Sequence, residues 1–190
     1  MRRIALVGDI GSGKTFFSKL FSYPIFNADL VVSSLYKKDK HLFIKIKKKF
    51  PNKISNFPLL KEELLKIILQ KQKNLKVLGK IIHPIVRKAM QNFLKKNRKK
   101  KFVVLDIPLF LENRLNEKND IIIFVEADKK KINQKIKKRK NINPKLINIL
   151  RRNQLQIKLK KKKSTYVIKN NFVRKTAMKS VKLIIRKINK

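Results

Sequence analysis

The chain has 190 residues, 43% of them hydrophobic, with 52 Lys and Arg against 11 Asp and Glu and a formal net charge of +41. That length and apolar content suit one compact domain with a core of its own, and no apolar run reaches the roughly 18 residues that a membrane-spanning helix needs. The absence of cysteine excludes disulfides and thiolate metal sites, and two histidines are too few for a histidine-based zinc site.

The excess charge is mostly Lys, runs along the entire length and travels with abundant Ile and Asn. It reads as a solvated surface rather than a nucleic-acid footprint, with self-repulsion that makes the protein sensitive to salt.

Met1-Arg2-Arg3 leads directly into Arg3 to Val7 (RIALV), an apolar run suited to a buried parallel strand. No cleavable apolar leader precedes it, so a cytoplasmic location is expected. Three of the four glycines, Gly8, Gly11 and Gly13, follow at once. Glycine permits close approach to the main chain, which suggests a phosphate.

Gly8-Asp9-Ile10-Gly11-Ser12-Gly13-Lys14-Thr15 fits G-x-x-x-x-G-K-[ST], between a predicted strand and a predicted helix over Lys14 to Phe21. In that setting the backbone N–H groups and the helix N-terminus face a polyphosphate. Lys14 reaches its β- and γ-phosphates, and the Thr15 hydroxyl ligates Mg²⁺. A dinucleotide-binding fingerprint fails, because G-x-G-x-x-G counted from Gly11 ends on Phe16.

Pro24 to Ala28 (PIFNA) is a second predicted strand, with Asp29 just beyond it. Ligands of open α/β sheets sit past the carboxyl ends of strands, so Asp29 is a candidate acid for the acceptor. It is equally suited to cap a helix. From Asp29 to about Arg98 the pattern is helical, with Leu64, Ile67 and Ile68, then Ile85, Val86, Met90, Phe93 and Leu94 near the 3.6 period. Gly79 and Pro84 are expected to punctuate it.

Phe102 to Leu105 and Ile121 to Val125 are the clearest strands. Asp106 ends the first of them in the manner of a Walker-B aspartate, positioned to hold Mg²⁺ or its water. Helices are expected over Lys129 to Lys138 and Lys145 to Lys158, then a strand over Tyr166 to Ile168 and a helix over Val173 to Ile188. The alternation predicts an α/β domain spanning residues 1–190, a parallel sheet with helices on both faces, with a helical insert at 30–98. The basic stretch Lys131 to Arg139, within a lid region at 129–150, suits closure over phosphates.

A phosphate loop leaves the acceptor open. A GTPase would carry N-K-x-D after a later strand, and this chain has none. A motor or remodelling ATPase normally needs more chain. A small-molecule kinase remains, with another nucleoside or nucleotide kinase and a basic nucleic-acid-binding protein as rivals.

The set VGDIGSGKT, NAD (Asn27 to Asp29), IIHPIVR (Ile81 to Arg87), LDIPLFLE (Leu105 to Glu112), Arg139, Gln154 and VIKNN (Val167 to Asn171) resembles the dephospho-coenzyme A kinase family over nearly the entire chain. The resemblance implies a three-layer P-loop kinase fold with a five-stranded parallel sheet, a helical substrate-binding insert and a lid. It implies ATP-dependent phosphorylation of the ribose 3′-hydroxyl of dephospho-CoA, with ATP and dephospho-CoA as partners, Mg²⁺ as the metal and no membrane. On this resemblance Gly11, Ser12, Gly13, Lys14, Thr15 and Phe16 hold the nucleotide, with Asn170 near the adenine. Asp29 orients or deprotonates the acceptor hydroxyl, Arg139 meets the phosphates, and His83 and Arg87 line the acceptor pocket.

The chain also departs from the family pattern. Asn27 replaces the first acid of D-A-D, Ser33 and Lys61 stand where arginine is common, and Lys135 replaces a lid arginine. Thr165 and Phe172 depart from the usual A-D-x-V-I-x-N-x-G. Lysine keeps the charge of arginine but loses its two-pronged fork.

Overall fold

The protein is described from a computed structural model covering residues 1–138 and 143–189. β1 (Arg2–Gly8) is buried from Arg3 onward, as an apolar run covered on both faces must be. It pairs in parallel with β3 (Phe102–Asp106) on one side and β4 (Ile121–Ala127) on the other. The short β2 (Ile25–Asn27) and β5 (Tyr166–Asn170) complete a five-stranded parallel sheet in the order β2-β3-β1-β4-β5.

Alternation along β1 divides the core. Ile4 and Leu6 pack with Phe17 of α1 (Lys14–Leu20) and with Val181 and Ile184 of α9 (Arg174–Asn189). Ala5 and Val7 point the other way, into a cluster with Phe26, Leu105, Phe110 and Met90. Each fully buried side chain of this size stabilises the fold by about 1.5–3 kcal/mol relative to exposure. The result is three layers, with the carboxyl ends of β1, β2 and β3 at one edge.

At the opposite end of β1, Arg3 is buried but satisfied. Its guanidinium donates to both carboxylate oxygens of Asp120 at 2.6 Å and to the Leu115 carbonyl at 3.0 Å, and also meets Glu117. The paired carboxylates offset the burial and keep its pKa raised.

Between β2 and β3 the chain is helical: α2 (Ala28–Lys38), α3 (Lys40–Lys49), a 3₁₀ turn at Pro51–Lys53, α4 (Lys61–Gln70) and α5 (Lys73–Lys96). These helices share a separate core of Leu42, Ile46, Leu64, Ile67, Leu78 and Ile82. The expected interruptions at Gly79 and Pro84 do not occur, because both residues lie inside α5. A proline there costs a hydrogen bond and a clash, but burial of Leu78, Ile82 and Met90 along one face of the helix outweighs it. Gly79 leaves room for the His83 ring, which would lie 3.2 Å from a Cβ at that position.

After β4 come α6 (Lys129–Lys137), α7 (Pro144–Arg152) and α8 (Ile157–Lys162). The single helix expected over 145–158 is therefore two. The break is held by Glu112, whose Oε1 accepts the Leu155 N–H at 3.0 Å and the Lys160 ammonium at 2.7 Å. A half-buried carboxylate on a neighbouring loop can compete with helix continuation in this way. No helix among the described residues is long and apolar enough to cross a membrane.

Candidate active site

β1 delivers the phosphate loop directly onto α1. Gly13 occupies the N-cap of α1 in the left-handed region (φ +97°), with no side-chain cap and no acid in the first helical turn. The first N–H groups of α1 thus have no side-chain acceptor, which leaves them oriented toward an anion. Ser12 is fully buried, and its Oγ has no hydrogen-bond partner.

The loop is braced from behind and from above. Asn170, at the end of β5, donates from Nδ2 to the Ser12 carbonyl at 2.7 Å and accepts the Phe172 N–H at 2.8 Å. That amide is buried and pressed so closely on Gly13 that a Cβ there would lie 2.5 Å from Nδ2. Asn170, expected near adenine, thus has its side chain committed to the phosphate loop. Above the loop, Ile132 and Ile136 of α6 stand 3.1 to 3.2 Å from where a Gly11 side chain would begin. Phe16 is partly exposed beside the loop, edge-on to Phe17.

Lys14 folds back, its ammonium donating to the carbonyls of Asp9 at 2.8 Å and Gly8 at 3.3 Å. Burial and the positive charge of Lys160 lower its pKa to about 8, against the opposing pull of Asp106, Asp9 and Asp29. A polyphosphate would supply the negative charge this ammonium lacks.

Asn27, Asp29 and Asp106 converge at the ends of β2 and β3, where Asn27 and Asp106 are register partners. Asn27, not Asp29, caps α2: its Oδ1 accepts the Leu30 N–H at 2.9 Å, while its Nδ2 donates to Asp106 Oδ2 at 2.7 Å. The capping role considered for Asp29 therefore belongs to Asn27, two residues earlier. An amide can serve as acceptor and donor at once, which a second carboxylate facing Asp106 could do only by holding a proton.

This leaves Asp29, in the first turn of α2, open to the cleft. Its carboxyl is pushed above the usual range by the surrounding protein and by Asp106, with Lys14 and Lys61 acting in the opposite sense. Tyr36, further along α2, is driven up to about 12 by burial and by Asp29. Lys61, at the start of α4, acts on Asp29 as a positive charge without forming an ion pair with it among the described residues. Tyr36 lies outside every motif in the sequence.

His83 and Arg87 lie one turn apart on α5. Burial of the His83 ring and the nearby Arg87 charge lower the His83 pKa, and Arg87 donates to the Asn113 carbonyl at 3.3 Å in the loop after β3. Among the described residues no hydrogen bond or ion pair ties either to Asp29. Arg139 lies outside the described residues. The lid departure Lys135 meets a departure of the C-terminal motif: its ammonium sits 4.8 Å above the Phe172 ring, and Phe172 takes the positive φ of 66° that glycine adopts without strain. Thr165 extends the sheet, accepting the Ile122 N–H on its hydroxyl and donating its own N–H to the Ile122 carbonyl.

Thr15 and Asp106 offer hard oxygen donors, and no group of three or more His, Cys, Asp or Glu side chains among the described residues is arranged to hold a metal alone. That donor set fits Mg²⁺, which uses few protein ligands beside phosphate and water.

A glycine-rich anion cradle opening onto a helix, at the edge of a five-stranded parallel sheet that carries an acid on the far side of the cleft, defines a P-loop kinase. A crystal structure from Thermus thermophilus, TT1252, shares this fold with a TM-score of 0.80 at 21% identity, covering 98% of this chain and 97% of that one. Dephospho-CoA kinase from Campylobacter jejuni shares it at 0.66 and 20%, with the same coverage. The family model described as dephospho-CoA kinase matches residues 2–175. Curated dephospho-CoA kinases from Wolbachia pipientis wMel and from the Wolbachia of Brugia malayi are 33% and 32% identical, over 98% and 96% of this chain and 97% and 95% of theirs. The chain belongs to the dephospho-CoA kinase family.

Proposed function

We propose that this kinase transfers the γ-phosphoryl group of ATP to the ribose 3′-hydroxyl of dephospho-CoA by in-line displacement, with Asp29 as the acceptor-side base. The observation that carries the reading is the pair of helix starts at the carboxyl edge of the sheet: the phosphate loop opens onto α1 with no side-chain cap, and Asn27 caps α2 so that Asp29 in its first turn stays free. The bond between the γ-phosphorus and the β,γ-bridging oxygen breaks, a bond from the ribose oxygen to phosphorus forms, and ADP leaves. The hydroxyl proton passes to Asp29, whose raised pKa suits a proton acceptor.

Loop amides and Lys14 stabilise the charge that spreads over the phosphoryl oxygens. Thr15 and Asp106 would hold Mg²⁺, which when bound neutralises phosphate charge. Asn27 keeps Asp106 in place and starts α2 so that Asp29 faces the cleft. Residues 30–98 serve as the acceptor-binding insert, with His83 and Arg87 lining it, and 129–150 as the lid. The reaction belongs to the cytoplasm, and the +41 charge is solvated surface rather than a nucleic-acid site.

Discrimination comes from ADP release with Mg²⁺·ATP and dephospho-CoA, compared with adenosine and nucleoside monophosphates. Preference for dephospho-CoA supports the reading, and faster turnover of another acceptor replaces it.

A further inference from the structure

Only three buried side-chain polar atoms among the described residues lack a hydrogen-bond partner, and two of them, Ser12 Oγ and Arg151 Nε, belong to or adjoin the phosphate loop. Ser12 is part of the cradle. Arg151 is not: it comes from the last turn of α7, far along the chain from the loop, and no motif includes it. Its guanidinium is held at one corner, where an NH2 group donates to Asn133 Oδ1 on α6 at 2.9 Å. Nε points toward the loop, 3.9 Å from Asp9 Oδ1, too far for a hydrogen bond.

Asp9 is a carboxylate in a loop built for anions. Its Oδ1 already accepts the Ile10 N–H at 2.6 Å, and Lys14 rests on its carbonyl at 2.8 Å. Two cations therefore converge on Asp9 from opposite segments of the chain. Lys14 leaves that carbonyl to reach the β- and γ-phosphates, so Arg151 is poised beside the same end of the nucleotide. Lys135 is engaged with the Phe172 ring and presents no fork.

We propose that Arg151 binds the γ-phosphate of ATP through its guanidinium and stabilises that group during transfer. This rests on the kinase reading above and names a phosphate ligand that the lid motif does not contain. Asn133 orients the guanidinium, and Asp9 holds it beside the loop until the phosphate takes its place. Arginine is suited to this exchange because one planar fork can serve a carboxylate and a phosphate alike.

Calorimetric titration of the full chain with Mg²⁺·ADP and with the non-hydrolysable Mg²⁺·AMPPNP decides the matter without any acceptor. For Arg151→Met the analogue should bind about tenfold more weakly while ADP stays within about twofold. Equal weakening of both, or of neither, overturns the proposal. Turnover with dephospho-CoA should fall about a hundredfold and be partly restored to Arg151→Ala by added guanidinium, which a structural arginine would not permit. Arg151→Lys, which keeps the charge and the α7 helix, should fall between Met and wild type; wild-type behaviour would also overturn it. If wild-type protein ignores dephospho-CoA, the acceptor reading fails while the nucleotide titrations still judge Arg151.

Discussion

The phosphate-loop side of the cleft is fastened by main-chain geometry and buried contacts, whereas the side proposed for the acceptor depends on one helix start. Around the phosphate loop, Asn170 grips the Ser12 carbonyl, α6 presses on Gly11, and the positive φ of Gly13 sets the entry to α1. Opposite, Asp29 owes its place to Asn27, a single side chain that caps α2 and tethers Asp106. A site built on backbone tolerates little change in residue size but much change in charge around it. A site built on one side chain has the reverse sensitivity.

Substitutions can break that contrast. The largest loss is expected for Lys14→Ala, about a thousandfold in turnover, because a charge aimed at the transferred group acts fully only during transfer; ADP release measures it, and retained activity would remove the loop from the chemistry. Asp29→Asn should lower kcat by a factor of about 10² to 10⁴ with ATP affinity unchanged. Equal loss of both by calorimetry and turnover would move Asp29 to the nucleotide side.

Gly13→Ala probes the other arm. A Cβ at 2.5 Å from Asn170 Nδ2 and a φ of +97° should cost about 1–3 kcal/mol. That loss should appear as a lower Tm together with weaker ATP binding, and an unchanged protein would show that the brace yields.

The smallest effect is pH dependence. Burial lowers the Lys14 pKa to about 8, so kcat/KM for ATP should fall as pH rises through that value and the ammonium is lost. On the proposed mechanism Asp29 is ionised when it accepts the proton, and its pKa is raised. The acid limb of kcat/KM for the acceptor should therefore lie above the ordinary aspartate range, and disappear in Asp29→Asn along with most activity. A profile flat from acid to alkaline pH would detach both groups from turnover.

The donor side is legible in the sequence because its parts are contiguous: Gly8 to Thr15 is one loop whose chemistry follows from spacing. Asp29 is legible as a candidate but not as distinct from a cap, since only the Asn27 hydrogen bonds separate the two. Arg151, Tyr36 and Lys160 are invisible there, being delivered from α7, α2 and α8 without a shared motif. The scarcity of acids is the one sequence signal that points toward such contacts. In a chain with only 11 of them a carboxylate is a rare choice, and most make a specific contact in the fold. Asp120 and Glu117 pair with Arg3, Glu112 pairs with Lys160, Asp39 and Asp128 cap helices, and Asp9 faces Arg151.

Local pattern alone determined the parallel sheet, the helices on its two faces and the anion cradle, because apolar runs and glycine spacing act through neighbours in the chain. Tertiary structure decided the rest: that α5 runs unbroken through Pro84, that residues 153–156 separate α7 from α8, and that an amide at 27 supports two acids. Those outcomes depend on burial and on hydrogen-bond partners far away in the chain, which no stretch of sequence carries by itself.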